Sequence, residues 1–112
     1  MQNIGGDKLR GHVDTMVLSV LEKGDAHGLA IIKRIEESGS GVLHMKEGSL
    51  YPALYRLEKA GLVSAKWDEQ TKGRRGPRRK IYKLTRKGRN QLARGREQWQ
   101  QFVSVVGAIV GG

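Results

Sequence analysis

The hydrophobic positions in the first third of the chain follow a helical period. Apolar residues recur every three or four positions between about residues 8 and 23, which predicts an amphipathic helix. A second helix is predicted over about residues 26–38, with Asp25 able to cap its start. The buried face of this second helix is predicted to contain Leu29, Ile32 and Ile35.

The stretch KEGSLYPALYRLEKAGL, residues 46–62, predicts a third helix with two different faces. Its leucines lie on one buried stripe, because they repeat at i, i+4 and i+7. Pro52 tolerates a position in the first turn, which places the helix start near residues 47–49, and Gly61 suits the left-handed position that ends the helix. The opposite face contains Ser49, Tyr51, Tyr55, Arg56 and Lys59. Such a face suits a DNA major groove, and an ordinary solvated helix surface is the alternative.

After Gly61 the hydrophobic pattern changes to a period of two. Residues 62–67 and 80–84 alternate apolar and polar side chains, which predicts two half-buried strands with Trp67 packed at the end of the first. The connection between them, residues 68–79, contains two glycines, one proline and many cations, so it predicts a loop longer than a tight turn. Three helices with short connections, followed by a two-stranded ribbon with a basic loop, predict a winged helix-turn-helix, an α+β fold that is mostly α.

The last predicted helix runs from about residue 86 to residue 109, with Thr85 as its cap. Apolar residues step along it by three and four, which is the spacing of a short heptad pattern. The end of this helix is too apolar for a solvated surface, so a second copy of the chain is expected to cover it. Residues 1–84 are therefore expected to bind DNA and residues 85–112 to form the dimerisation helix, the two making one continuous unit.

Charge narrows the class of partner. The 112 residues contain 21 Lys+Arg against 11 Asp+Glu, a formal net charge of +10, which favours a polyanionic partner. Between residues 70 and 96 there are 12 Lys or Arg and no Asp or Glu. Arginines in the basic loop can bind phosphates in a bidentate manner, which gives affinity and orientation rather than sequence choice.

Other classes of function find little support in the residues. The chain has no cysteine, and its three histidines are scattered, so neither a disulfide framework nor a metal site is expected. No apolar run reaches the length of a membrane span, no signal peptide opens the chain, and we expect a cytoplasmic protein. No nucleophile and base, paired carboxylates or phosphate-binding loop stands out, so neither an enzyme nor a cofactor is expected.

Three segments together resemble the PadR family of bacterial transcriptional regulators: residues 48–63 (GSLYPALYRLEKAGLV), 76–88 (GPRRKIYKLTRKG) and 24–28 (GDAHG). The resemblance covers about residues 9–99 and is closest to the short members with a single C-terminal helix. It implies a homodimeric winged-helix repressor that binds a near-palindromic operator and is released by a small molecule. It also implies that a flat aromatic effector stacks on Trp99. Leu29 departs from the family, which often has a tyrosine there.

The predicted sites follow from these elements. The residues predicted to contact DNA are Lys46, Ser49, Tyr51, Tyr55, Arg56, Lys72, Arg74, Arg75, Arg78 and Arg79. The residues predicted to form the dimer interface are Leu92, Trp99, Phe102, Val103, Val106 and Ile109. Tyr55 is equally compatible with packing under the wing, and Trp99 with a dimer core rather than an effector platform. A basic RNA-binding or ribosome-associated module is the alternative to a DNA-binding regulator.

Overall fold

The computed structural model describes residues 6–41, 43–69 and 78–111, with side chains from residue 11 onward. These residues form four helices and one two-stranded sheet, which confirms the mostly α winged-helix fold predicted from the sequence. The elements in chain order are α1 (Gly6–Glu22), α2 (Gly28–Ser38), α3 (Glu47–Lys59), β1 (Val63–Trp67), β2 (Lys80–Leu84) and α4 (Arg86–Val110).

The two strands form the antiparallel ribbon of the wing. Val63 pairs with Leu84 and Trp67 with Lys80, so the ribbon is in register over its full length. Ala26, just before α2, makes an additional bridge to Tyr82: each backbone N–H donates to the other residue's carbonyl, at 3.1 and 2.9 Å. The segment that leads into α2 is therefore attached to the wing by its backbone.

The core lies where α1, α2, α3 and the ribbon meet. The leucine stripe of α3 is fully buried there, as its spacing predicts, against Val17 and Leu18 of α1 and Ile31 of α2. Pro52 lies in the second turn of α3 rather than in the first, because the helix begins at Glu47. Gly61 has a φ of 76° and takes the left-handed conformation just after the end of α3, as predicted.

Helix α2 differs from its prediction in start and in phase. It begins at Gly28 with His27 as N-cap, so Asp25 lies outside the helix and does not cap it. Ile31 and Ile35 are buried, whereas Leu29 is 50% exposed and lies on the outside. The buried face is set by Gly28, which faces Tyr51 of α3 so closely that a side chain there would clash with it.

Side chains at the start of α4 form hydrogen bonds with the backbone at the end of α3. Thr85 caps α4 by accepting a hydrogen bond from the Gly88 backbone at 3.0 Å, as predicted, and its hydroxyl donates to the Gly61 carbonyl at 2.7 Å. Lys87 Nζ donates to the Ala60 carbonyl at 2.9 Å, where the carbonyls at the end of α3 lack helical partners. The orientation of α4 is thereby fixed to the end of α3.

Helix α4 has a buried first half and an exposed second half. Leu92 is 1% exposed in the subunit's own core, and buried Gly95 lies against Thr15 of α1. This corrects the assignment of Leu92 to the dimer interface. The apolar residues in the first half of α4 pack against α1 within the subunit, and only those in the second half are exposed. Within the parts of the chain that the structure describes, no helix is long and apolar enough for a membrane span.

Candidate nucleic-acid interface

The outer face of α3 presents hydroxyl-bearing side chains to solvent. Lys46, just before the helix, and Ser49 in its first turn are exposed. Tyr51 and Tyr55 follow one turn apart, and Tyr55 is 67% exposed, which excludes its packing under the ribbon in this structure. This face combines hydrogen-bond donors, acceptors and aromatic surface, as required for contacts with phosphates and base edges.

The position of Tyr51 depends on a glycine in the neighbouring helix. A Cβ added to Gly28 would lie 2.5 Å from the Tyr51 hydroxyl oxygen, so no larger residue fits without moving the ring. The tyrosine thus rests on the first residue of α2 while remaining partly exposed on α3. The sequence placed Tyr51 on the correct face of α3 but gave no signal for its contact with α2.

Arg56 has a partner within the subunit. Its Nη2 donates to Asp14 Oδ1 at 2.9 Å, and both side chains are partly exposed, by 37% and 27%. The ion pair joins α3 to α1, so the guanidinium that was predicted to contact DNA has a partner within the subunit.

Cationic side chains lie at the start of β2, where the described part of the wing meets the connecting loop. Arg78 and Arg79 are exposed, and Arg78 lies 3.5 Å from Glu69. The guanidinium of Arg78 and the ammonium of Lys80 lie 5.3 and 5.2 Å from the ring centre of Trp67, so this half-exposed ring packs against cations rather than in the core. The other predicted wing cations, Lys72, Arg74 and Arg75, lie outside the described residues.

A buried carboxylate lies at the root of the wing, by which we mean the point where β1 ends and the loop between the two strands begins. The sequence did not reveal it as a site. Asp68 is 8% exposed and is the one buried charged residue in the described parts of the chain. Its Oδ2 lies 2.7 Å from Nε2 of His27, and its backbone N–H donates to the Arg79 carbonyl at 2.7 Å. His27 belongs to the GDAHG motif, but no local pattern pairs it with a residue so far along the chain.

Tyr82, on the core side of the wing, is a neutral phenol at neutral pH. Burial raises the pKa of Tyr82, and the negative charges of Glu58 and of ionised Tyr51 act in the same direction. The phenol of Tyr82 therefore stays protonated under the ribbon. It lies on the buried face together with Leu84, as the alternation in β2 predicts.

The exposed end of α4 carries an aromatic cluster. Trp99 and Phe102 stack with ring centres 5.7 Å apart, and His12 of α1 meets them edge-on and tilted at 5.3 and 5.8 Å. A cavity of about 520 Å³ opens beside Trp99 between α1 and α4, with Met16 and Arg96 in its lining. The sequence identified Trp99 and Phe102 but missed His12, because the contact crosses between helices.

The apolar surface continues from this cluster to the end of α4. Val103, Val106 and Ile109, which were predicted for the dimer interface, are all exposed. The same surface includes Val105 and Val110. A contiguous exposed apolar surface of this kind on a folded protein marks an interaction site.

No group of three or more His, Asp or Glu side chains that could hold a metal ion occurs among the described residues. The side-chain chemistry that they do gather is that of an interface: hydroxyls and cations on one side and apolar rings on the other.

Comparisons with known proteins agree on one family. Residues 17–94 match the model described as the transcriptional regulator PadR-like family. A transcriptional regulator from Clostridium thermocellum is 35% identical, with a TM-score of 0.82 and coverage of 94% of this chain and 99% of that one. A PadR family transcription regulator from Clostridium difficile R20291 is 32% identical, with a TM-score of 0.70 and coverage of 90% of this chain and 99% of that one.

A curated relative extends the comparison to a longer protein. The transcriptional regulator YqjI of Escherichia coli (strain K12) is 31% identical over 88 residues, which are 79% of this chain and 39% of that protein. The shared segment is thus a minor part of YqjI.

Proposed function

The chain belongs to the PadR-like family of transcriptional regulators, which bind DNA and are not enzymes, and from that premise we propose that it is a homodimeric repressor. In this proposal the dimer binds a near-palindromic operator, and a small aromatic effector releases it. We further propose that it acts in the cytoplasm. The observation that carries the proposal is the exposure of Ser49, Tyr51 and Tyr55 on α3 together with that of the cations Arg78 and Arg79 on the wing.

The proposed division of labour follows from the chemistry of the two elements. The hydroxyls of α3 can reach phosphates and base edges in a major groove, while the wing's arginines bind the flanking backbone. Arginine contacts with phosphates release counterions, so they supply affinity that depends on salt. In a dimer, two copies of α3 would lie about 34 Å apart, one turn of duplex DNA.

The exposed end of α4 supports the proposed dimer. Trp99, Phe102 and Val106 form part of an apolar surface that the subunit itself leaves uncovered. A two-fold arrangement covers such a surface on both chains with the same set of contacts. Leu92 takes no part in the proposal, because it lies in the core of the subunit.

The proposed effector site lies beside Trp99. The cavity between α1 and α4 offers an indole face, a methionine and the guanidinium of Arg96, which together suit a flat aromatic molecule with a polar substituent. Because α4 is bonded to the end of α3 through Thr85 and Lys87, a ligand that shifts α4 would also shift α3. An effector that releases DNA without altering Trp99 fluorescence would contradict this part of the proposal.

The experiment that tests the function is a gel-shift titration with the DNA immediately upstream of the coding region. Scrambled duplex and RNA of equal length serve as competitors. We expect two chains to bind each site, with competition by the specific duplex alone. Equal competition by scrambled DNA or by RNA would support the basic RNA-binding module instead.

A further inference from the structure

The His27–Asp68 pair connects two separate parts of the proposed DNA-binding surface. A carboxylate accepts and cannot donate, so the His27 Nε2–H donates to Asp68 Oδ2 across 2.7 Å. The acceptor lies in a low-dielectric position, since Asp68 is 8% exposed, and such charge-assisted bonds are stronger than neutral ones. This contact is thus a strong link between elements far apart in the chain.

One end of the link lies at the root of the wing. Asp68 directly follows β1, and its backbone N–H closes the ribbon by donating to the carbonyl of Arg79 at 2.7 Å. Beyond this closing bond the sequence continues into the arginine-rich segment of residues 70–77. Any movement of Asp68 therefore moves the base of that segment.

The other end of the link lies beside the recognition helix. His27 is the N-cap of α2 and makes no capping hydrogen bond with its side chain, although an N-cap side chain ordinarily serves its own helix. The next residue, Gly28, supports the ring of Tyr51. The imidazole of His27 thus bonds to the wing, and the residue next to it in the chain packs against Tyr51 on the exposed face of α3.

We infer that His27 and Asp68 are positioning residues for DNA binding, which hold the wing at a fixed distance from α3 so that both engage one duplex. The inference rests on the proposed function and deepens it. Asp68 is buried and touches no DNA itself; it acts through the wing. A wing held in place before binding loses less conformational freedom on the DNA, and this raises affinity for the operator.

The pair is separable from the fold because a second attachment remains. The two backbone hydrogen bonds between Ala26 and Tyr82 join the same segment to β2 and do not involve the His27 side chain. Removing the imidazole therefore takes away this one contact with the root of the wing while leaving the ribbon and core in place. His27→Gln is the conservative variant, since its amide retains an N–H donor.

The test compares these variants with and without the wing's charges. His27→Ala and Asp68→Ala are each made in the natural chain and in an Arg74→Ala, Arg75→Ala background, and operator binding is titrated. We expect about a tenfold loss of affinity in the natural chain, which is about 1.4 kcal/mol, and less than about a twofold loss in the neutralised background. His27→Gln should recover most of the loss. Equal losses in both backgrounds would show a merely structural role and overturn the inference.

A measurement without DNA separates this inference from the proposed function. Trp67 adjoins Asp68 and is half exposed, so in a Trp99→Phe chain it is the single tryptophan and reports on the wing root. We expect His27→Ala to lower its fluorescence anisotropy in the free protein and His27→Gln to leave it unchanged. Unchanged anisotropy in His27→Ala would refute the positioning role. Failure of the natural chain to select any duplex would refute the proposed function instead. If Asp68→Ala does not fold, the His27 variants decide the question.

Discussion

Arg56 of α3 is paired with Asp14 of α1 across 2.9 Å. The sequence predicts that Arg56 lies on a DNA-contacting face, whereas this pair makes it a connection between α3 and α1. We predict that Arg56→Met lowers the free energy of unfolding by about 1 kcal/mol, the range for partly exposed pairs. The slope of operator affinity against salt concentration should stay unchanged, because an arginine held by Asp14 neutralises no phosphate.

The measurement combines urea unfolding with gel-shift titrations at several salt concentrations. Asp14→Asn is the matched control, since it removes the same ion pair from the other side and leaves the arginine in place. If Arg56→Met reduces the salt slope by about 0.9, the value for one neutralised phosphate, the arginine binds DNA and the intramolecular assignment is wrong.

A side chain at Gly28 is predicted to displace the ring of Tyr51. In Gly28→Ala the new methyl group meets the outer end of Tyr51, so the ring must leave its place on α2. We expect operator affinity to fall about tenfold with little change in the free energy of unfolding, because the part of Tyr51 that has to move is the far end of a half-exposed side chain. Gly48→Ala is the control in thermal unfolding, because open space surrounds it in α3 and alanine favours helices. Unaltered operator affinity in Gly28→Ala would show that the place of Tyr51 is unimportant.

Val106 is predicted to lie within the dimer interface. Val106→Asp would bury a carboxylate between subunits, so we expect the dimer dissociation constant to rise at least about 100-fold. Because Val106 is exposed in the single subunit, the circular-dichroism spectrum should be retained. Analytical ultracentrifugation measures the effect. Ser104→Asp, an exposed position about half a helical turn away from the centre of the apolar surface, should remain dimeric. A dimeric Val106→Asp protein would place the interface elsewhere.

The wing's arginines are predicted to give affinity without sequence choice. Arg74→Ala together with Arg75→Ala should weaken binding to operator and scrambled duplex by similar factors. The slope of log affinity against log salt should fall by about 0.9 for each phosphate that the variant no longer neutralises. Titrations at several salt concentrations measure both quantities. A weakening confined to the operator would mean that the wing reads bases.

The Glu22–Arg96 pair predicts a dependence of stability on acid. The hydrogen bond from Arg96 lowers the pKa of Glu22 below its ordinary value of 4.5, with the charges of Arg96, Arg89 and Lys23 acting in the same direction. A lowered folded pKa means that the stabilisation is present above the ordinary value and is lost as the pH falls through the folded value.

We therefore expect Glu22→Gln to lower the midpoint of thermal unfolding at pH 7 and to match the natural chain once the Glu22 carboxyl of the latter is protonated. Calorimetry from pH 7 to about pH 2.5 measures this, and high salt should reduce the difference, because the pair is exposed. Glu97→Gln is the control for removing a surface charge from α4. A difference that persists at the acid end would assign the effect of Glu22→Gln to something other than the ion pair.

The sequence predicted well those features that depend on local pattern. The leucine stripe of α3, the alternation in β2 and the Thr85 cap need only neighbours along the chain, and the structure confirms each of them. The order of the predicted elements and the basic loop between the strands predicted the winged-helix arrangement, and the structure confirms it. These features are predictable because period, capping and turn chemistry act within a few residues.

The features that the sequence missed depend on contacts between elements. The phase of α2 is decided by the close approach of Gly28 to Tyr51, so Leu29 is exposed despite its hydrophobicity. Leu92 fits a heptad pattern but is buried in the subunit's own core. The partners of His27 and Arg56 lie about forty residues away, and no short-range pattern indicates them.

The backbone bridge between Ala26 and Tyr82 also has a consequence for how the protein is made. The segment that leads into α2 cannot find its partner until β2 has been synthesised and has left the ribosome. The first three helices are therefore expected to emerge as a loose intermediate, and their final arrangement waits for this long-range contact. A chain interrupted by a stop codon before β2 would lack the contact altogether, so it should be cleared by proteases rather than persist as a competing fragment.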